Sequence, residues 1–186
     1  MNLKNIFNAS NFLSFVRLLL VIPAWIAFNN FDQEISRYSV AAIGIFAAIT
    51  DILDGYLARK LNQITEFGKI IDPLADKVLI AFVVINLFLL GEIPDYYFYL
   101  IIGRDLLILL GGLIVSKKLG RVLPSDYLGK ATVLSISFVL LAILLNLSEE
   151  SVIYQILYYS SIILIFASLS NYLIKANKLL SSQKSV

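Results

Sequence analysis

The stretch Asp51–Lys77, DILDGYLARKLNQITEFGKIIDPLADK, holds four aspartates, two glycines and an arginine between two apolar segments. On a helix, residues at i, i+3, i+4 and i+7 share a face. Asp51, Asp54, Gly55 and Ala58 have that spacing, and Gly68, Asp72, Ala75 and Asp76 follow at i, i+4, i+7 and i+8. Two stripes result, each with two carboxylates and two small residues. A short connection makes consecutive spans antiparallel neighbours, so the stripes can face each other.

The flanking segments say what solvent surrounds these carboxylates. Of 186 residues, 59% are hydrophobic and 15% charged, and the mean hydropathy is +0.85, outside the range of soluble domains. Apolar runs of about 20 residues, the length needed to span a bilayer, can be drawn at Asn11–Phe28, Tyr38–Ala58, Ile70–Leu90, Tyr96–Val115, Ala131–Leu147 and Ser151–Ile174. The expected fold is all-α: an integral membrane bundle of six transmembrane helices. Leu3, Ile6 and Phe7, spaced i, i+3, i+4 beside Lys4, Asn5 and Asn8, add a short N-terminal interfacial helix. Arg17 inside the first run, and the lack of a small-residue cleavage site, suit an uncleaved first helix rather than a signal peptide. No repeat or Pro/Gly/Ser-rich linker breaks the chain, so residues 1–186 are expected to form a single domain.

Charges alternate in sign between successive connections. With the N-terminus inside, Lys4, Arg59, Lys60, Lys69, Lys117, Lys118, Arg121, Lys130, Lys175, Lys178 and Lys184 are cytoplasmic. The three outer turns then carry Asp32, Glu34, Glu92, Asp95, Glu149 and Glu150 with only Arg37. The positive-inside rule therefore gives a multi-pass protein of the cell (inner) membrane, with its N-terminus and aspartates on the cytoplasmic side.

A carboxylate inside a span costs about 2.5 to 3.5 kcal/mol on insertion scales, so it normally lines a cavity and has a partner. Arg59 and Lys77 cannot balance four negative charges, and without neutralisation some would have to stay protonated. The chain has no cysteine and no histidine, which excludes disulfides, thiolate chemistry and the usual zinc ligand. Clustered oxygen donors suit hard divalent cations, Mg²⁺, Mn²⁺ or Ca²⁺, and this cluster could hold two. Gly55, Ala58 and Gly68 leave the helix surface bare where a bulky group must approach. Helix capping accounts for Asp72 ahead of Pro73, but not for four aspartates on two stripes.

The pattern Asp51-x2-Asp54-Gly55-x2-Ala58-Arg59-x8-Gly68-x3-Asp72-x3-Asp76 agrees at every fixed position with the signature of the CDP-alcohol phosphatidyltransferase family. The resemblance covers most of the chain, since family members are similar in size, with six membrane helices and an inward-facing site. It implies displacement of CMP from a CDP-linked lipid by an alcohol. It also implies metal on Asp51, Asp54 and Asp72, with Asp76 at the cluster as the general base. Asp54, Gly55, Ala58, Arg59 and Gly68 would receive the cytidine nucleotide. The segment Asn11–Arg17 resembles the family's first-helix pattern, and Arg17 calls for a carboxylate or phosphate partner. Arg104 either pairs with Asp105 or faces the cavity to bind an acceptor phosphate; Lys130, Lys77 and Arg121 are further acceptor-binding candidates.

DPLADK and the later Gly129-Lys130-Ala131-Thr132 resemble the branch that takes CDP-diacylglycerol as donor and glycerol 3-phosphate as acceptor. That branch is the expected one, although the run ATVLSIS departs from its usual basic and glutamine-containing form; Arg104-Asp105 is closer to a branch with phosphatidylglycerol as acceptor, and serine and inositol are further alternatives. The resemblance also implies a homodimer, with the bilayer as surroundings and no nucleic-acid partner. Membrane prenyltransferases also bind metal-diphosphate through helical aspartates, but their two acidic motifs lie far apart. A cation transporter would have no need of the Gly55-Ala58-Arg59 spacing.

Overall fold

A computed structural model of the chain describes residues 9–60, 68–119 and 126–182, with side chains described at 12–53, 77–115 and 126–179. No strand occurs among the described residues. Seven helices follow in order: α1 (Ala9–Leu19), α2 (Val21–Phe28), α3 (Glu34–Lys60), α4 (Gly68–Leu89), α5 (Asp95–Leu119), α6 (Tyr127–Leu144) and α7 (Val152–Ser182). Among the described residues, four helices are long and apolar enough to cross a membrane, and Phe12–Phe28 and Lys77–Leu89 are shorter apolar stretches. On α5, Leu106, Leu107, Leu110, Leu113 and Ile114 are all exposed. Such a surface suits lipid rather than water, and the protein is a multi-pass membrane helical bundle.

Each expected span is found as helix, with one difference. The first run is two helices, interrupted at Leu20. Pro23 is the physical reason: it has no N–H to offer the Leu19 carbonyl four residues back, and its ring crowds that carbonyl. The helices also run past the drawn spans. The 27 residues of α3 extend about 40 Å, more than a hydrocarbon core of about 30 Å. The surface-lying helix expected around Leu3–Phe7 falls outside the described residues.

Two helix ends are set by local chemistry. Gly91, with φ 74°, ends α4 in the left-handed conformation that glycine adopts without strain. Asn146 does the same after α6 with φ 55°. There the Asn146 N–H donates to the Ile143 carbonyl and the Leu147 N–H to the Ala142 carbonyl, each at 2.9 Å, which is the Schellman arrangement.

The chain divides into two compact units, Met1–Leu90 and Gly91–Val186. In the first, α1 and α2 each pack on both α3 and α4, with Ala24, Phe28, Val40, Leu79, Val84 and Leu87 buried. At its acidic end Phe28 stacks on Phe31 with ring centroids 5.2 Å apart. Arg37, the lone cation there, lies 4.3 Å over the Phe31 ring, a cation–π contact. In the second unit α7 packs on both α5 and α6, around Tyr97, Ile136, Val139, Ile143 and Ile165. The Tyr97 hydroxyl lies 2.7 Å from the Ser161 hydroxyl, and Tyr158 donates to the Tyr96 hydroxyl at 2.6 Å. Each phenol thus keeps a polar partner beside the apolar core.

Candidate active site

In the first unit, α1 lies against both helices that carry the acidic motif. Arg17 projects from α1 with 1% of its side chain exposed, and its Nη1 donates to Asp51 Oδ1 on α3 at 3.2 Å. A guanidinium in an apolar helix needs such a partner. A carboxylate is one of the two kinds of partner that the sequence leaves open to Arg17. Asp51 remains 47% exposed.

The rest of the motif is placed by its backbone. Asp54, Gly55, Ala58 and Arg59 follow Asp51 on continuous helix to Lys60, and Gly68, Asp72, Ala75 and Asp76 lie on the opening turns of α4. The spacings read from the sequence are therefore helical spacings on both elements. The side chains of Asp54, Ala58, Arg59, Asp72 and Asp76 lie outside the described set, as does Arg121. Lys77, next after Asp76, is exposed.

In the second unit, Arg104 is buried where three helices meet. From α5 its Nη1 donates to Asp105 Oδ1 at 2.6 Å, its Nε to the Ser168 hydroxyl of α7 at 3.3 Å, and its Nη2 to the Gly129 carbonyl of α6 at 3.3 Å. The local pairing with Asp105 is thus present, joined by two contacts that tie the helices together. A Cβ on Gly129 would lie 3.4 Å from Arg104 Nη2, so the small residue admits the guanidinium closely. Lys130, the next residue, is exposed. Nearby, Thr132 Oγ1 lies 2.7 Å from the Leu128 carbonyl of its own helix and 3.1 Å from the Leu164 carbonyl of α7.

A further polar group has no motif that marks it in the sequence. Asp126, at the N-cap of α6 in extended conformation (φ −98°, ψ 151°), takes Lys175 Nζ on its Oδ2 at 2.8 Å and accepts a hydrogen bond from Asn171. The Lys175 hydrogen bond holds its carboxyl below the usual carboxylate range. An aspartate just ahead of an apolar run reads as a helix cap, and nothing in its spacing announces partners on α7.

The donor chemistry at Asp51 suits a hard divalent cation. Its Oδ1 faces Arg17, and the carboxylate remains half exposed. Oxygen donors from Asp51, Asp54, Asp72 and Asp76 would hold such an ion, in a chain without cysteine or histidine.

A multi-pass helical bundle with this acidic motif at two helix ends defines a class of membrane protein with clustered carboxylates at its helix ends. The family model of the CDP-alcohol phosphatidyltransferases matches residues 7–169. The chain is 36% identical to the CDP-diacylglycerol--glycerol-3-phosphate 3-phosphatidyltransferase of Aquifex aeolicus, over 93% of this chain and 98% of the relative. The protein of the same name from Rickettsia felis is 34% identical, covering 79% of this chain and 80% of its own. That from Bacillus subtilis is 35% identical over 68% of each chain. The protein belongs to the CDP-alcohol phosphatidyltransferase family, and is a transferase.

Proposed function

We propose that the protein transfers a phosphatidyl group from CDP-diacylglycerol to glycerol 3-phosphate, releasing CMP and forming phosphatidylglycerophosphate. The observation that carries this reading is the near end-to-end match to the Aquifex aeolicus relative named for that donor and acceptor. In the reaction an acceptor hydroxyl oxygen attacks the lipid-bearing phosphorus, the phosphorus–oxygen bond to CMP breaks, and the hydroxyl proton leaves to a base.

Asp76 is the base. A carboxylate close to, but not fully neutralised by, cations is suited to taking that proton. Asp51, Asp54, Asp72 and Asp76 would hold Mg²⁺ or Mn²⁺, two ions in number, which would supply neutralisation of the pyrophosphate charge. Asp54, Gly55, Ala58, Arg59 and Gly68 receive the cytidine nucleotide. Arg17 fixes the Asp51 carboxylate, so that the first donor of the set is oriented before substrate arrives. Lys130, with Lys77 and Arg121, draws the phosphate of the acceptor, and Arg104 serves the same group by holding the Gly129 carbonyl beside Lys130 at 3.3 Å.

The N-terminus and the site face the cytoplasmic side of the cell membrane, a reading supported by the Lys- and Arg-rich connections on that side. The family match runs from residue 7 to 169, across both compact units, which supports a single functional domain; the working form is a homodimer. CMP release from CDP-diacylglycerol with Mg²⁺ or Mn²⁺, comparing glycerol 3-phosphate, phosphatidylglycerol, serine and inositol, tests the reading. Turnover with glycerol 3-phosphate alone is expected, and turnover only with phosphatidylglycerol would move the protein to cardiolipin formation.

A further inference from the structure

Asp126 and Lys130 stand one turn apart at the start of α6, where the Lys130 N–H donates to the Asp126 carbonyl at 3.1 Å. An aspartate at the N-cap and a lysine one turn further along lie close enough to attract each other. Here they do not pair. Asp126 Oδ2 is 2.8 Å from Lys175 Nζ and also accepts from Asn171 Nδ2. Both partners sit on α7 one helical turn apart, on the same face. Lys130 is exposed and has no ion pair among the described residues.

The Asp126–Lys175 pair is itself open to solvent, at 28% and 46% exposure, and pairs of that kind add little to stability. Its effect is on where charge sits. The turn 126–130 is held at two points: the Asp126 carboxylate is drawn onto α7, and the Gly129 carbonyl accepts Arg104 Nη2 from α5. Lys130, between these anchors, is left with an ammonium that no carboxylate pairs with among the described residues.

We infer that Asp126, clamped by Asn171 and Lys175, is a positioning residue that keeps Lys130 unpaired for the phosphate of the acceptor. This rests on the glycerol 3-phosphate reading above. Asp126 touches no substrate in this role; the clamp removes a competitor that would otherwise occupy Lys130 with a carboxylate in place of a phosphate.

The test is steady-state CMP release by the full-length protein carrying Lys175→Met, Lys175→Arg, or Asp126→Asn together with Lys175→Met. Lys175→Met strips Asp126 of its counterion and leaves Lys130 as the cation one turn along the same helix. KM for glycerol 3-phosphate should rise about fivefold, the scale of one exposed ion pair, with smaller changes in kcat and in KM for CDP-diacylglycerol. Lys175→Arg should stay close to the unsubstituted protein, and the double variant should recover most of the lost affinity because the competing carboxylate is gone. A clamp that merely braced the fold would give a double variant no better than Lys175→Met, with kcat falling alongside KM, and that result would overturn the inference. Absence of turnover with glycerol 3-phosphate by the unsubstituted protein would instead overturn the acceptor assignment, and this inference with it.

Discussion

Arg17 and Asp51 join α1 to α3 through a guanidinium that is almost wholly buried and a carboxylate that is half in solvent, 3.2 Å apart. The asymmetry decides which partner is the costlier to remove. Asp51→Ala withdraws a counter-charge from a buried cation, whereas Arg17→Met leaves a carboxylate that water can still reach. Breaking a fully buried pair costs about 3 to 5 kcal/mol. The exposure of Asp51 lowers this to about 1 to 3 kcal/mol for Asp51→Ala, with Arg17→Met the milder change. Denaturation midpoints of the two variants in detergent should show that order.

The aspartates of the motif should separate into holders of metal and a taker of protons. Asp76→Asn keeps an oxygen donor but cannot accept a proton, so metal-dependent thermal protection should persist while CMP release drops about 100-fold or more. Asp51→Asn and Asp72→Asn should lose both readouts. Turnover of Asp76→Asn at the level of the unsubstituted protein would reject its role as base.

How much of this was legible in the sequence depends on whether the partners are local. The spans could be drawn because apolar length alone determines what crosses a bilayer. The interruption at Leu20 was also present, in Pro23, but the uniform greasiness of Asn11–Phe28 hid it. The apolar pattern begins at Ala131, four residues after α6 itself starts at Tyr127. A helix end outside the hydrocarbon has no need of apolar residues, so the pattern fades before the helix does. Arg104 and Asp105 are adjacent, and their pairing could be read directly. The Arg17–Asp51 and Asp126–Lys175 pairs join helices far apart in the chain, which only packing brings together.

Asp126 should make stability depend on pH at the acid end. Its folded carboxyl titrates below the ordinary value of 3.8, chiefly because of the Lys175 hydrogen bond. Its contribution is therefore fully present above the unfolded pKa and is lost as pH falls through the lower folded one. Melting temperatures measured between pH 7 and pH 3 should show the gap between the unsubstituted protein and Asp126→Asn constant down to about pH 4 and closing below it. A gap that widened on acidification would contradict the assignment.

Tyr172 offers a stabilising change. Its hydroxyl is buried without a hydrogen-bond partner among the described residues, and its ring packs on the bare surface of α5, where a Cβ on Gly111 would lie 2.9 Å from both Cε1 and the hydroxyl oxygen. Tyr172→Phe removes a desolvated polar atom and should be neutral or stabilising by about 1 kcal/mol. Gly111→Ala should cost about 1 to 3 kcal/mol by overpacking. Combining them should recover part of that cost, because one of the two clashing atoms is gone while the ring remains.

Arg104 is the cation whose role the structure makes most demanding. Nε, Nη1 and Nη2 each donate to a different helix or side chain: Ser168 on α7, Asp105 on α5 and the Gly129 carbonyl on α6. Lysine keeps the charge but not the planar fork, so it cannot reproduce three donations in three directions. Arg104→Lys should lower stability by about 1 to 3 kcal/mol, the cost of leaving buried acceptors unmade. It should also raise KM for glycerol 3-phosphate more than KM for CDP-diacylglycerol, since Gly129 is no longer held beside Lys130. Equal stability with a selective rise in KM would instead make Arg104 a direct phosphate ligand whose three bonds are dispensable to the fold. Thermal denaturation and two-substrate kinetics on the same preparation separate these outcomes.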